Sequence, residues 1–314
     1  MNKKLSVSTF LLTIAMAASA FAYPDKPVTY VIPFSPGGES DTTAQMQAPF
    51  FEALTGQPMK FKYAPGGGGA KSWSMLNRFP ADGHTVVTIN LPHIITQPLL
   101  GKVGYATDDL NPVHFFHYTP DAILVKKNSP LKTFADFVAA AKAKPGALKV
   151  SGSGKYSANN IAQLALDKKA GIKTNYTGYK GSSAAMVGLL GGQVDAAWSY
   201  TTSAVTYGDD VRMLAVAMEE RHPAFPDTPT FKELGYDWVG GAYRGAAVPK
   251  ATPDAISQKL SDRLAEINND PEFRRQMVEA GFALINIEKA DMSAYMAQMT
   301  DRYTSLLQEL GIAP

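Results

Sequence analysis

An apolar run from Val28 to Phe34 ends in Ser35-Pro36-Gly37-Gly38-Glu39-Ser40-Asp41, and a mixed stretch from about Thr42 to Leu54 follows before Gly56. That order predicts a buried strand, a glycine turn and a helix closed by a glycine. A second apolar run, Met59 to Tyr63, enters Pro65-Gly66-Gly67-Gly68-Gly69 and another helix. Further along the pattern returns. Leu148 to Ser151 leads through Gly152-Ser153-Gly154 to a helix from about Ala158 to Lys169, closed by Gly171. Lys173 to Thr177 then enters Tyr179-Lys180-Gly181-Ser182-Ser183 and one more helix. Gly37 and Gly66 stand 29 positions apart, as do Gly152 and Gly181. Any two strand-helix-strand units can share such a period, so the spacing alone does not prove a duplication. It does predict an α/β fold of two similar lobes, each a mostly parallel sheet flanked by helices. Each lobe carries two loops at the C-terminal ends of neighbouring strands, where open α/β sheets bind ligands.

Between the two halves, Leu110 to Val125 reads as one long strand crossing from lobe to lobe, and Gly240 to Pro249 reads as the return. The expected organisation is lobe 1 at 23–120 plus 246–314 and lobe 2 at 121–245, with hinge crossings near 118–124 and 240–248. In the tail, Thr252 reads as an N-cap with Pro253 in the first turn, and Ile256, Leu260, Leu264 and Ile267 form an apolar stripe for core packing. A last helix from about Lys289 to Leu310 carries Met and Leu on one side and is expected to wrap over a lobe.

The first 22 residues add a compartment. Lys3 and Lys4 precede an apolar run through Leu11, Leu12 and Ile14, then Ala20-Phe21-Ala22, the pattern of a secretory signal cleaved after Ala22. The apolar run is too short for a membrane anchor, which needs about 20 residues. The chain contains no cysteine, which removes disulfides, thiolate nucleophiles and lipidation at the cleavage point, and suits a bacterial periplasm. Without the leader the 30 basic residues fall to 28 against 28 acidic ones. A neutral chain lacks the basic face that nucleic acid requires, so recognition of a charged partner must be local.

Local chemistry points to anions. Both Gly37-Gly38 and Gly152-Ser153-Gly154 stand where a strand hands over to a helix. The first helical N–H groups lack internal partners there and lie at the positive end of the helix dipole. Two such cradles on one chain suit a ligand held at both ends. Nucleotide and catalytic motifs fail: Pro65 to Ser72 lacks the glycines of a phosphate loop, and Ser157 replaces the last glycine of a dinucleotide fingerprint. The five histidines lack zinc-ligand spacing and no nucleophile elbow is visible, so neither cofactor nor metal is expected. Arg244, in the small apolar segment after Gly240-Gly241-Ala242-Tyr243, reads either as a bidentate carboxylate clamp or as a solvated or lobe-bridging arginine. His93, Trp198, Tyr200 and Tyr243 would let a pocket accept a flat ring, or serve only as core; Asn90 and Thr201 are polar candidates at strand ends.

The chain resembles the extracytoplasmic receptors of tripartite tricarboxylate transporters, the Bug family. The motifs, in order, are Tyr23-Pro24-Asp25-Lys26-Pro27, Pro33 to Asp41, Pro65 to Gly69, Ala81-Asp82-Gly83-His84-Thr85 and Tyr179-Lys180-Gly181. Leu189 to Asp195, Pro226-Asp227-Thr228-Pro229-Thr230 and Pro249-Lys250-Ala251-Thr252-Pro253 complete them. Each is weak alone; their shared order is specific and spans almost the whole length. The resemblance implies a monomeric, two-lobed periplasmic receptor of the Venus-flytrap kind. It would close on a small carboxylate, a dicarboxylate of aliphatic or aromatic type, and deliver it to the large and small membrane subunits of the transporter. Carboxylate donors would come from Phe34, Ser35, Gly37 and Gly38 in one lobe and Ser151, Gly152, Ser153, Tyr156 and Ser157 in the other.

Asp41 would hold the first loop's amides rather than touch an anionic ligand. Tyr63 and Tyr179 stand on the neighbouring loops, as ligand-packing or core tyrosines, and Ser157 and Ser182 also suit plain helix caps. Tyr63 stands where relatives often carry Asn, and Ser72 replaces a frequent glycine; both departures bear on ligand identity. The rival classes are a hydrolase-like periplasmic enzyme using the same cleft and a receptor feeding a signalling partner.

Overall fold

A computed structural model describes residues 23–312; the signal-like segment lies outside the described residues. In lobe 1, β1 (Val28–Ile32) pairs in parallel with β2 (Met59–Tyr63) and with β3 (Thr85–Leu91). Strand β9 (Gly241–Val248) runs antiparallel between β3 and the first part of β4 (Asn111–Lys126). In lobe 2, the second part of β4 pairs with β7 (Ala196–Tyr200) and β8 (Val211–Val216), and β5 (Lys149–Gly152) lies between β6 (Asn175–Gly178) and β7. Thus β4, 16 residues long, belongs to both sheets. Its burial along nearly the whole length explains its unbroken apolar reading, because a central strand covered on both faces has no polar side. A tenth strand, β10 (Ala283–Ile287), completes lobe 1 against β4.

Helices cover both faces of each sheet. Helix α1 (Glu39–Thr55) starts at Glu39, three residues before the expected position, which brings Glu39 and Asp41 into its first turn. It ends at Gly56, whose φ of 71° is the left-handed conformation that costs glycine little. In lobe 2, α5 (Ala158–Ala170) is capped by Ser157, whose Oγ accepts from Asn160 N, and closed by Gly171. Helix α8 (Asp254–Asn269) corrects one expectation. Thr252 does not cap it: Pro253 occupies the cap position and the Thr252 hydroxyl has no partner. Leu260, Leu264 and Ile267 do join a lobe 1 core with Val28, Tyr30 and Phe51, while Ile256 is partly buried against it.

The last helix, α10 (Met292–Leu310), wraps over more than one lobe. Met292, Met299 and Tyr303 pack into a lobe 1 core with Trp73 and Ile89, whereas Leu307 packs into the lobe 2 core with Ile161 and Trp198. The helix is a strap across the crossing strands.

Candidate functional site

Strand register assembles the centre of the molecule. Arg244 on β9 lies opposite Asn90 on β3 and His117 on β4. One lobe further on, Asp121 on β4 lies opposite Tyr200, the last residue of β7. Cross-strand partners project on one face, so these five side chains share one neighbourhood although the chain separates them widely. Arg244 is only 3% exposed. Its Nη1 sits 3.3 Å from Glu39 Oε2 and donates to Thr119 Oγ1 and Ala242 O, and its guanidinium lies 4.7 Å above the Tyr200 ring.

A narrow cavity opens at this point, with about 10 Å³ of room for a water-sized molecule. Lobe 1 lines it with Phe34, Gly38, Glu39, Ser40, Asn90 and His93; lobe 2 adds Ser153, Ser182 and Tyr200, and Arg244 comes from the crossing strand. A larger groove of about 480 Å³ lies behind the crossing, between Trp238 and α10. The small cavity is distinguished by chemistry. Asn90 Oδ1, His93 Nδ1, Ser153 Oγ, Tyr200 OH and Arg244 Nε are all buried there without a hydrogen-bond partner. The Ser153 and Tyr200 hydroxyls approach each other without an aligned bond. Buried polar groups are nearly always paired, so a cluster of unpaired ones marks where an absent polar molecule belongs.

Burial sets the electrostatics. Desolvation raises the Glu39 carboxyl above its ordinary range, against the opposing pull of Arg244 and a hydrogen bond from Thr119. Burial, reinforced by the Arg244 charge, lowers His93 to about 3 and His117 well below its usual value, so both imidazoles are neutral. Asp121 is pushed up to about 7, chiefly by burial, although Asn159 Nδ2 donates to its Oδ1 at 2.8 Å.

The glycine loops meet crosswise. The first loop of lobe 1 touches the second loop of lobe 2: Ser35 N and Oγ both donate to Lys180 O, Ser183 Oγ donates to Pro36 O, and Glu39 N donates to Ser182 Oγ. The second loop of lobe 1 touches the first loop of lobe 2. A Cβ on Gly154 would stand 2.8 Å from Gly68 Cα, and Thr96 Oγ1 donates to Tyr156 O. The lobes are closed on each other.

Among the residues singled out from the sequence, Phe34, Gly38, Asn90, His93, Ser153, Tyr200 and Arg244 come together around the cavity. Others do not line it. Ser35 makes the cross-lobe bond, and Gly37 N donates to Asp41 Oδ2 at 2.7 Å, so the Asp41 carboxylate holds the loop. Tyr63 donates to Asp41 Oδ1 from outside the cavity. Ser151 donates to Ala185 O in the lobe 2 core, and Gly152 packs under Tyr176, where a Cβ would meet the phenol oxygen. Tyr156 lies near Gly101 with φ 57°, Ser157 caps α5, and Tyr179 turns outward to Gln193. Thr201 bridges the lobes through Gly281 O.

Glu39, Asp121 and Asn159 escaped the sequence reading. The early helix start was the missed signal for Glu39, since an acid after Gly-Gly suits a first turn. Asp121 carried no signal and Asn159 only that of a residue opening α5, because packing alone brings the two together.

Two sheet lobes joined by shared crossing strands, with a polar cleft between their loops, define a two-lobed binding protein of the periplasmic type. Residues 44–312 match the model of the tripartite tricarboxylate transporter family receptor, and the chain belongs to that family. A relative described as the UPF0065 protein in the gbd 5' region of Cupriavidus necator is 28% identical, over 96% of this chain and 93% of its own length. The structure of the periplasmic binding protein BugD superposes with a TM-score of 0.87 at 26% identity, covering 93% of this chain and 99% of that one. MatC from Rhodopseudomonas palustris, solved with bound malate, superposes with a TM-score of 0.84 at 25% identity, covering 91% and 100%. Receptors of this family are periplasmic solute-binding proteins rather than enzymes. No helix among the described residues is long and apolar enough to cross a membrane.

Proposed function

We propose that this protein is a periplasmic receptor that captures a small carboxylate by closing its lobes on it and passes it to the membrane subunits of a tripartite tricarboxylate transporter. The unpartnered polar atoms that Asn90, His93, Ser153, Tyr200 and Arg244 turn into one closed cavity carry this reading. Ligand contacts that exist only when both lobes meet are what shift the open and closed populations. The carboxylate bound by MatC supports the ligand class by likeness. A hydrolase using the same cleft is disfavoured by His93, whose buried Nδ1 has no hydroxyl partner to activate.

A thermal-shift screen of aliphatic and aromatic mono-, di- and tricarboxylates tests the reading. A true ligand at about 100 times its Kd adds roughly 2.7 kcal/mol of stability and is recovered chemically unchanged. No shift with any carboxylate, or turnover of the one that binds, would overturn it.

A further inference from the structure

The cavity contains a carboxylate of its own. Glu39 follows the Gly37-Gly38 turn and opens α1, at the end of the helix where an anionic ligand would be expected. An acid in a first turn is ordinarily a surface residue that balances the helix dipole. Asp41, two residues on, is buried and spends its carboxylate on Gly37 N and Tyr63 OH. Glu39, 6% exposed, lines the cavity and pairs with Arg244.

Arg244 is the one lysine or arginine among the residues lining the cavity, and Glu39 neutralises it. His93 is neutral, and Asp121 adds another acid within electrostatic reach of both partners. The cavity's side chains therefore carry no net positive charge. Backbone N–H groups at the starts of α1 and α6 (Ser182–Leu190) can still hold one carboxylate. A second one would stand beside Glu39 without a free cation, and like charges at close range in a buried site resist joint ionisation. The unused valences at this end are mixed. Asn90 Oδ1, buried and unpartnered, and the lone pairs that Arg244 leaves on Glu39 accept N–H or O–H groups, while Arg244 Nε donates.

We propose that Glu39 sets the ligand class: its carboxylate takes the place a diacid's second carboxylate would need, so the receptor selects a monocarboxylate whose other end donates hydrogen bonds. This rests on the carboxylate-receptor reading above and narrows the dicarboxylate expectation drawn from the family resemblance. An amide and an ammonium group share the required donor chemistry, and matched compounds separate them.

Isothermal titration of the purified receptor with succinate, succinamate, 4-aminobutyrate and butyrate tests it, repeated with the six-carbon counterparts and with terephthalate against 4-carbamoylbenzoate. In the series that binds, the amide-ended or ammonium-ended compound should bind at least about tenfold more tightly than the diacid. Glu39→Ser should reduce that ratio below about threefold or invert it, and Glu39→Gln should fall between. Circular dichroism checks that each variant folds, and the wild-type order of affinities decides alone where one does not. A wild-type preference for the diacid, or a ratio unmoved by Glu39→Ser, overturns the proposal and leaves the carboxylate reading standing. Binding by none of the compounds overturns both.

Discussion

The two lobes solve the same local problem with different chemistry. Each must hold a glycine-rich turn open at the start of a helix so that its N–H groups face the cleft. Lobe 1 uses a charged group: the Asp41 carboxylate accepts from Gly37 N and from Tyr63 OH. Lobe 2 uses a neutral one: Asn159 Oδ1 accepts from Ser153 N while its amide donates to Asp121. The contrast extends to the cavity, where lobe 1 supplies Glu39 and lobe 2 supplies the hydroxyls of Ser153, Ser182 and Tyr200. Charge is therefore confined to lobe 1 and the crossing strands. Closure brings in neutral hydrogen bonds and avoids stripping water from a second set of ions, a desolvation that often exceeds the Coulombic gain.

The largest test of this division removes its only cation. Arg244→Met should destabilise the protein by about 3–5 kcal/mol by leaving Glu39 buried and unpaired, and adding Glu39→Gln should restore most of the loss. Urea titration of the single and double variants measures the coupling; additive losses would mean that the pair does not act as a unit.

A swap of the two loop holders comes next. Asn159→Asp would place a second carboxylate against Asp121 and should cost about 3 kcal/mol. Asp41→Asn keeps an acceptor for Gly37 N and should cost only about 1 kcal/mol. Equal losses in chemical denaturation would erase the distinction between the lobes.

The most gradual effect is a pH dependence. Asp121 has its folded pKa raised from 3.8 to about 7, so the folded state binds more protons than the unfolded state in that window. Stability from this group therefore falls as pH rises from about 4 to 7, by at most about 1.4 kcal/mol per pH unit, and levels off above. The buried His93 and His114, lowered to about 3 and 4, act oppositely by losing stability as pH falls below 6.5. The difference between wild-type and Asp121→Asn melting curves isolates the Asp121 contribution; identical curves would place its titration outside the window.

The sequence by itself determined the alternation of strands and helices, the paired glycine loops and the long crossing strand. These depend on apolar periodicity and on backbone conformations that glycine favours, and both are written locally. It also marked Phe34, Gly38, Asn90 and Ser153 as candidates by their place at loops or strand ends, His93 and Tyr200 as aromatics near them, and Arg244 as a charge in a small apolar segment. Only the tertiary structure decided which candidates face the cleft. Tyr63 and Tyr179 look equivalent in the repeat, yet one ties down Asp41 and the other turns to Gln193. It also decided that α10 straps both lobes and that Glu39 meets Arg244. The reason is physical: whether a polar side chain is solvated, paired or turned toward a ligand depends on what distant segments bury around it. A local pattern can place an acid at a helix start, but only strand register and lobe closure bring that acid to an arginine near the other end of the chain.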